Sequence, residues 1–234
     1  MIEFRSVRKS FGSKVVLRDI SFSVPSGSIV SLVGPNGSGK STLLRILLQL
    51  ERQDSGEALI GGKPYSGFIR SGRIGVSLDT MNPHPSRRAI DHLRWIAASQ
   101  GISKRTCSER LEFVGLSGVE HKRVKKFSLG MKQRLRIAAT LLGDPSVLVL
   151  DEPVNGLDPE GILWLRNFLT DYTNQGNTVL ITSHLMNELE QLAASFVFLR
   201  NGEVAENITR EDLRDKYKSL EHAYFELNAT DGAR

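Results

Sequence analysis

Apolar and polar positions alternate with period two near the start of the chain. Ile2 and Phe4 lead, the runs VVLRDISFSV and SIVSLVG follow, and the pattern predicts strands. The period lengthens in STLLRILLQL, after a glycine-rich loop, where the apolar residues fall on one face of a helix. Two short strands, EALIGG and RIGVSL, come next. From Pro83 to Gly143 the pattern is helical: RRAIDHLRWIAASQG with Gly101 as its C-cap, then TCSERLEFVGL, then a helix opened by Ser128. After Pro145 the chain returns to an almost wholly apolar strand, SVLVLDEP, which ends in two carboxylates. A helix started by DPEG, the strand NTVLIT, the helix LMNELEQLAA and the strand SFVFLR follow, and Asn201–Gly202 marks a hairpin turn. REDLRDKY and SLEHAYFEL predict two short helices in the tail. The fold class is therefore α/β, with a mainly parallel sheet, an antiparallel N-terminal β subdomain and an inserted α-helical subdomain. A single domain is expected over residues 1–234, with the helical subdomain at about 83–143 and the helical tail at about 208–234.

Composition changes this picture little. With 234 residues, 40% of them hydrophobic and 24% charged, the chain can bury a sizeable core and has no low-complexity run. A net charge of +5 is modestly basic and does not by itself single out an anionic partner. No apolar run is long enough to span a bilayer, and the start, MIEFRSVRKSF, lacks a signal-peptide core, so a cytoplasmic protein is expected. Cys107 is the only cysteine and reads as an incidental thiol on a polar helix. His84 and His92, in NPHPSRRAIDHL, have no cysteine or carboxylate companions at ligand spacing and read as a loop residue and a helix-surface residue.

The chemistry gathers in four places. GPNGSGKS, Gly34 to Ser41, fits G-x-x-x-x-G-K-[ST] between a strand and a helix, the context of a P-loop NTPase core. In the run Asn36, Gly37, Ser38, Gly39, Lys40, Ser41 and Thr42, the glycines let successive N–H groups turn toward phosphates. Lys40 brings a point charge to the β- and γ-phosphates, and Ser41 offers a hydroxyl to Mg²⁺. VLVLDEP supplies Asp151, which can reach the metal shell, and Glu152, which alternation along the strand points elsewhere and which can accept a proton from an attacking water. His184 lies just past another strand, where it either contacts a γ-phosphate or caps a helix. KFSLGMKQRLRIA begins a helix whose N-cap, Ser128, and nearby Gly130 form a second anion site on the same chain.

Together these motifs resemble the nucleotide-binding subunit of an ABC transporter, in that family's order and from Ile2 to about Arg200. GPNGSGKS resembles the Walker A motif, VLVLDEP the Walker B motif with its catalytic glutamate, FSLGMKQR the signature, NGLDP with Asp158 the D-loop, and His184 the switch histidine. Phe11 falls where the family has an aromatic ring stacked on adenine, although a strand-end aromatic also fits its position. The resemblance implies an ATPase using ATP with Mg²⁺, paired head to tail with a second ATP-binding subunit in a homodimer or heterodimer. Ser128 and Gly130 of one chain would then bind the γ-phosphate held by the other. It also implies a separate transmembrane permease and a peripheral position on the cytoplasmic face of the membrane, with no nucleic-acid partner.

Two departures refine this expectation. The usual signature, L-S-G-G-Q, is replaced by Phe127, Ser128, Leu129, Gly130 and Met131, and Asp79 stands where the family has a glutamine that touches Mg²⁺. Both resemble the branch of bacterial drug-resistance and antimicrobial-peptide immunity exporters, and so does the tail segment SLEHAYFEL. Three alternatives remain: a soluble ABC ATPase acting on nucleic acid or the ribosome, a nucleotide-binding regulatory module with little hydrolysis, and an unrelated P-loop kinase. The long heptad insertion of repair relatives and the tandem domain of ribosomal ones are missing, Glu152 and His184 speak for hydrolysis, and a kinase leaves FSLGMKQR unexplained.

Overall fold

The computed structural model describes residues 1–67 and 73–229. The chain divides into two units, Met1–Gly67 with Leu169–Arg234, and Phe68–Phe168. The first unit opens with strands β1 (Ile2–Phe11), β2 (Lys14–Val24) and β3 (Ile29–Val33), helix α1 (Lys40–Leu47) and strand β4 (Ser55–Ile60). The second holds β5 (Ile74–Ser77), helices α2 (Ala89–Gln100), α3 (Lys104–Phe113) and α4 (Leu129–Thr140), and β6 (Val147–Asp151). Helix α5 (Pro159–Asn174) crosses the division. The chain then completes the first unit with β7 (Thr178–Thr182), α6 (Met186–Leu192), β8 (Ser195–Arg200), β9 (Glu203–Thr209), α7 (Arg210–Lys216) and α8 (Leu220–Asn228). The predicted α/β class and the elements read from periodicity are present, and the differences lie at their ends. The last five residues of the predicted tail, 230–234, lie outside the described residues.

In the first unit, β2, β1 and β4 form an antiparallel sheet in that order. The alternation in β1 changes phase: Ile2 and Phe4 are buried, then Val7 and Lys9. A bulge accounts for the shift, since Ser6 adopts φ 46° and the register slips between Phe4 and Val7. The bulge pushes the Ser6 carbonyl toward β4, where a Cβ on Gly56 would sit 2.2 Å from it, so only glycine fits there. The second sheet of this unit sets β3 between β7 and β8, all parallel, with β9 antiparallel to β8 at the edge. Every residue of β3 and β7 is buried. Asn201 (φ 49°) and Gly202 (φ 77°) both take left-handed conformations, the geometry of the predicted two-residue hairpin.

In the second unit, β5 and β6 run parallel, with Ser77 opposite Leu150. Helices α2, α3 and α4 pack on one another through Ala89, Leu93 and Ala97, Cys107 and Leu111, and Leu135 and Ala138, all buried. Gly101 ends α2 in the left-handed conformation, as predicted. Helix α4 lies close on β5, where a Cβ on Gly75 would meet the Thr140 carbonyl at 2.5 Å.

Candidate functional site

The glycine loop leaves the buried strand β3 and turns into α1. Gly37 (φ 84°) and Gly39 (φ 107°) supply the left-handed conformations that this turn needs. Gly34 is required for a different reason: a Cβ there would lie 2.3 Å from the Leu199 carbonyl oxygen. Gly39 occupies the N-cap position of α1 with no side-chain cap, so the first turn, with Lys40, Ser41 and Thr42, presents backbone donors in place of a capping hydroxyl. Lys40 Nζ donates to the carbonyls of Gly34 at 2.6 Å and Pro35 at 3.0 Å. Asn36, Gly37 and Ser41 are exposed, whereas Ser38 is buried and its Oγ has no hydrogen-bond partner among the described residues.

Within the same unit, Leu32 of β3 pairs with Thr182 of β7. Gly34 and His184 each follow two residues later, so the loop and the histidine leave the same ends of neighbouring parallel strands. Ligands gather at the carboxyl ends of parallel strands in sheets of this type. His184 is exposed ahead of α6. Phe11 ends β1 with its ring 48% exposed, not packed into the core, and Lys9 Nζ lies 4.8 Å from the ring centroid.

The second unit repeats this arrangement with carboxylates. Because Ser77 and Leu150 are register partners, Asp79 and the pair Asp151–Glu152 emerge from the same ends of β5 and β6. Asp151 is buried at 8% exposure, and the Asp79 N–H points to its Oδ2 at 3.5 Å. Glu152 adopts φ 52°, a left-handed conformation that a non-glycine residue takes at a cost of about 1–3 kcal/mol. Glu152 lies one residue past the end of β6. Asp79 itself is 71% exposed.

Three buried polar side chains near these strand ends escaped the sequence reading. Gln133 of α4, 3% exposed, donates from Nε2 to the Pro153 carbonyl at 2.7 Å. Arg136, one turn further on, donates from Nη1 to Gln133 Oε1 at 3.1 Å and from Nη2 to the Leu78 carbonyl at 2.6 Å. Burial pulls the Arg136 pKa below its usual range, and the carboxylates of Asp79 and Asp151 oppose that pull. Thr140 Oγ1 donates to the Val76 carbonyl at 3.3 Å. The polar residues at 133, 136 and 140 recur at three and four residues, a single helix face. A polar stripe in sequence reads as a solvated face, so only the position of β5 marks it as buried.

Ser128 is the N-cap of α4, accepting from the Met131 N–H at 3.2 Å, and it is exposed. Gly130 sits where a Cβ would meet the Gly156 carbonyl at 2.9 Å, and Gly156 sits where a Cβ would meet Leu129 Cγ at 2.3 Å. The first turn of α4 and the loop after β6 therefore meet glycine to glycine, a steric demand on Gly130 beyond its expected anion role. Asp158 caps α5, with Oδ1 accepting from the Gly161 N–H at 2.9 Å.

The remaining expectations divide. Ser86 lies against exposed His84, their Oγ and Nδ1 atoms 2.7 Å apart, as expected for a loop residue. His92 differs from its expected place on the helix surface: it is half-buried, Nδ1 lacks a partner among the described residues, and burial lowers its pKa to about 4. Cys107 is fully buried in α3 and burial raises its pKa, which makes it an inert thiol.

Mg²⁺ takes hard oxygen ligands. In the second unit a buried carboxylate at a strand end (Asp151) and an exposed carboxylate (Asp79) are donors of that kind and fit the ion; in the first unit the exposed hydroxyl of Ser41, in the first turn of α1, is another such donor.

A family model described as ABC transporter matches residues 17–155. The lantibiotic transport ATP-binding protein SrtF of Streptococcus pyogenes is 37% identical over 204 residues, covering 87% of this chain and 89% of that protein. The bacitracin transport ATP-binding protein BcrA of Enterococcus faecalis is 34% identical over 236 residues, covering 99% of this chain and 75% of that one. A solved structure described as an ATP binding subunit of an ABC transporter superposes with a TM-score of 0.86 at 28% identity, covering 97% of this chain and 99% of its own.

Proposed function

The chain belongs to the ABC transporter family, and on that premise we propose that it is the Mg²⁺-dependent ATPase subunit that energises a separate membrane permease for export of an antimicrobial peptide or drug. Among the described residues no helix is long and apolar enough to cross a membrane, which supports a transport path made by another polypeptide. The relatives named for lantibiotic and bacitracin transport support the cargo class.

Each residue takes the role that its place in the family's motifs implies, and its chemistry suits that role. The N–H groups of Asn36 to Thr42 and the Lys40 ammonium hold the β- and γ-phosphates, as a charged donor and a helix start do for any anion. Ser41, Asp151 and Asp79 would provide the oxygens for Mg²⁺, which would supply positive charge to offset that of the phosphates. Glu152 takes the proton of the attacking water, and His184 orients that water and the γ-phosphate. Phe11 stacks on the base. Ser128 and Gly130 bind the γ-phosphate held by a second ATP-binding subunit, with Asp158 in the loop beside them. Loss of that phosphate on hydrolysis then releases the pair. The chain so placed is peripheral to the cytoplasmic face of the membrane, bound through its permease, and residues about 83–143 are the part expected to contact it.

The observation that supports hydrolysis over nucleotide binding alone is Glu152, held at φ 52° immediately after the buried Asp151. Strain of this kind persists where surrounding structure fixes it, and it is common at reacting centres. Glu152→Gln is expected to bind ATP as the wild type does and to lose about 10²–10⁴-fold in turnover, because the base is removed and no phosphate ligand is. Lys40→Ala is expected to weaken ATP binding itself. Phosphate release under saturating ATP, together with a binding titration, measures both, and wild-type turnover by Glu152→Gln would refute the assignment.

A further inference from the structure

Arg136 has no part in the roles just described, yet it lies in the middle of α4 at 8% exposure. A guanidinium held so deep is expensive unless its charge and donors are used. Nη2 is bonded to the carbonyl of Leu78, the residue before Asp79, and Nη1 lies 3.8 Å from Asp79 Oδ1 as well as bonding Gln133. Gln133 carries the link on to the Pro153 carbonyl, directly after Glu152. One cation thus grips the loop after β5 and, through one glutamine, the loop after β6. Helix α4 is fixed to β5 at the next turn by Thr140 and Gly75, so the grip is referenced to a rigid element. Arg136 Nε is buried with no hydrogen-bond partner among the described residues, a cost that packing alone does not explain.

From this geometry we infer that Arg136 is a positioning residue for Asp79: it pins the Leu78–Asp79 loop and neutralises the carboxylate, so that an acid is tolerated beside MgATP. The inference rests on the reading above in which Asp79 and Asp151 serve the metal of MgATP. An acid at position 79 brings a negative charge toward a triphosphate and repels it, an effect that the 71% exposure of Asp79 weakens but does not remove at short range. A guanidinium 3.8 Å from one carboxylate oxygen offsets part of that charge while leaving the other oxygen available as a ligand. Acid and cation therefore act as a unit. Removing Arg136 harms binding more while residue 79 is charged than when it is neutral, since a neutral residue loses only the pinning of its loop at Leu78.

A double-mutant cycle on the full chain tests this, with calorimetric titration of Mg²⁺ and a non-hydrolysable ATP analogue as the readout. Arg136→Met is expected to weaken binding about tenfold, and the same change made on Asp79→Asn to weaken it less than about twofold. Equal losses in both backgrounds mean that Arg136 only packs the core, and they overturn the inference. If Arg136→Met does not fold, Arg136→Lys runs the same cycle. It keeps the charge and loses the fork, so binding should stay within about threefold of wild type, with Asp79→Asn erasing the difference. A loss with lysine that is independent of residue 79 also overturns the inference. Failure of the wild-type chain to bind the MgATP analogue would defeat the ATPase reading and this inference together, whereas tight binding with additive losses defeats this inference alone.

Discussion

The loop after β3 in the first unit and the loops after β5 and β6 in the second leave the same kind of place, the carboxyl ends of parallel strands, but they are built from different materials. The first is made of backbone. Its glycines are needed for φ or for space, and its lysine bonds to two carbonyls of the loop itself. The second is made of side chains: Asp79, Asp151, Gln133 and Arg136, each placed by another. A backbone site is specified by what must be absent, chiefly a Cβ. A side-chain site is specified by partners far apart in sequence, such as Leu78 and Arg136, and it fails when any one is lost.

The largest effect should come from adding one methyl group to the backbone site. Gly34→Ala places a Cβ 2.3 Å from a backbone carbonyl that cannot swing away. We expect about 3 kcal/mol of destabilisation and loss of ATP binding. Gly37→Ala is the control, since a Cβ there meets nothing within 4 Å and only its φ of 84° is disfavoured. That change should cost about 1 kcal/mol. Chemical denaturation of the two variants checks the order, and a larger loss for Gly37→Ala would mean that conformation, not space, governs this loop.

Gln133→Leu should come next, because it severs the second unit's network without touching a proposed ligand. The buried Pro153 carbonyl and Arg136 Nη1 each lose a partner, for an expected cost of about 2 kcal/mol. Turnover should fall by more than binding, since the link leads to the residue next to Glu152. A variant as stable and as active as the wild type would show that Arg136 holds its loop without help.

These contrasts also explain what the sequence made legible. GPNGSGKS could be read because backbone sites depend on local spacing, and Asn201–Gly202 because the hairpin requires two left-handed residues in a row. Ser128 could be read as a cap because its acceptor role is satisfied three residues away. Gln133 and Arg136 could not, since in SLGMKQRLRIA they look like the wet side of a helix and become buried only once β5 and β6 are in place. The phase change in β1 was hidden for a related reason: a bulge at Ser6 is stabilised by Ser21 Oγ, fifteen residues on. Gly130 is legible as an anion-site residue, while the close approach of Gly156 that demands a glycine there depends on tertiary packing.

The smallest predicted effect extends the comparison to pH, and it sits on α2 in the second unit. His92 is half-buried, and burial, aided by the nearby positive charge of Arg87, lowers its pKa from 6.5 to about 4. Arg87 is itself held over the Trp95 ring at 4.3 Å, so it cannot easily turn away. The unfolded chain binds a proton at this histidine near pH 6.5, and the folded chain resists it until about pH 4. The unfolded state therefore carries more protons between those values, and stability must fall as pH falls through that window. Above pH 6.5 both states are neutral at this position, and the contribution is fully present. His92→Leu should flatten the dependence of Tm on pH across the same window and change Tm little at pH 7.5, because Nδ1 has no hydrogen bond to lose among the described residues. Thermal melts from pH 7.5 down to pH 4 would decide it. If wild-type and variant curves run parallel, His92 meets water more freely than its buried nitrogen implies, and the acid sensitivity of this unit must come from its carboxylates.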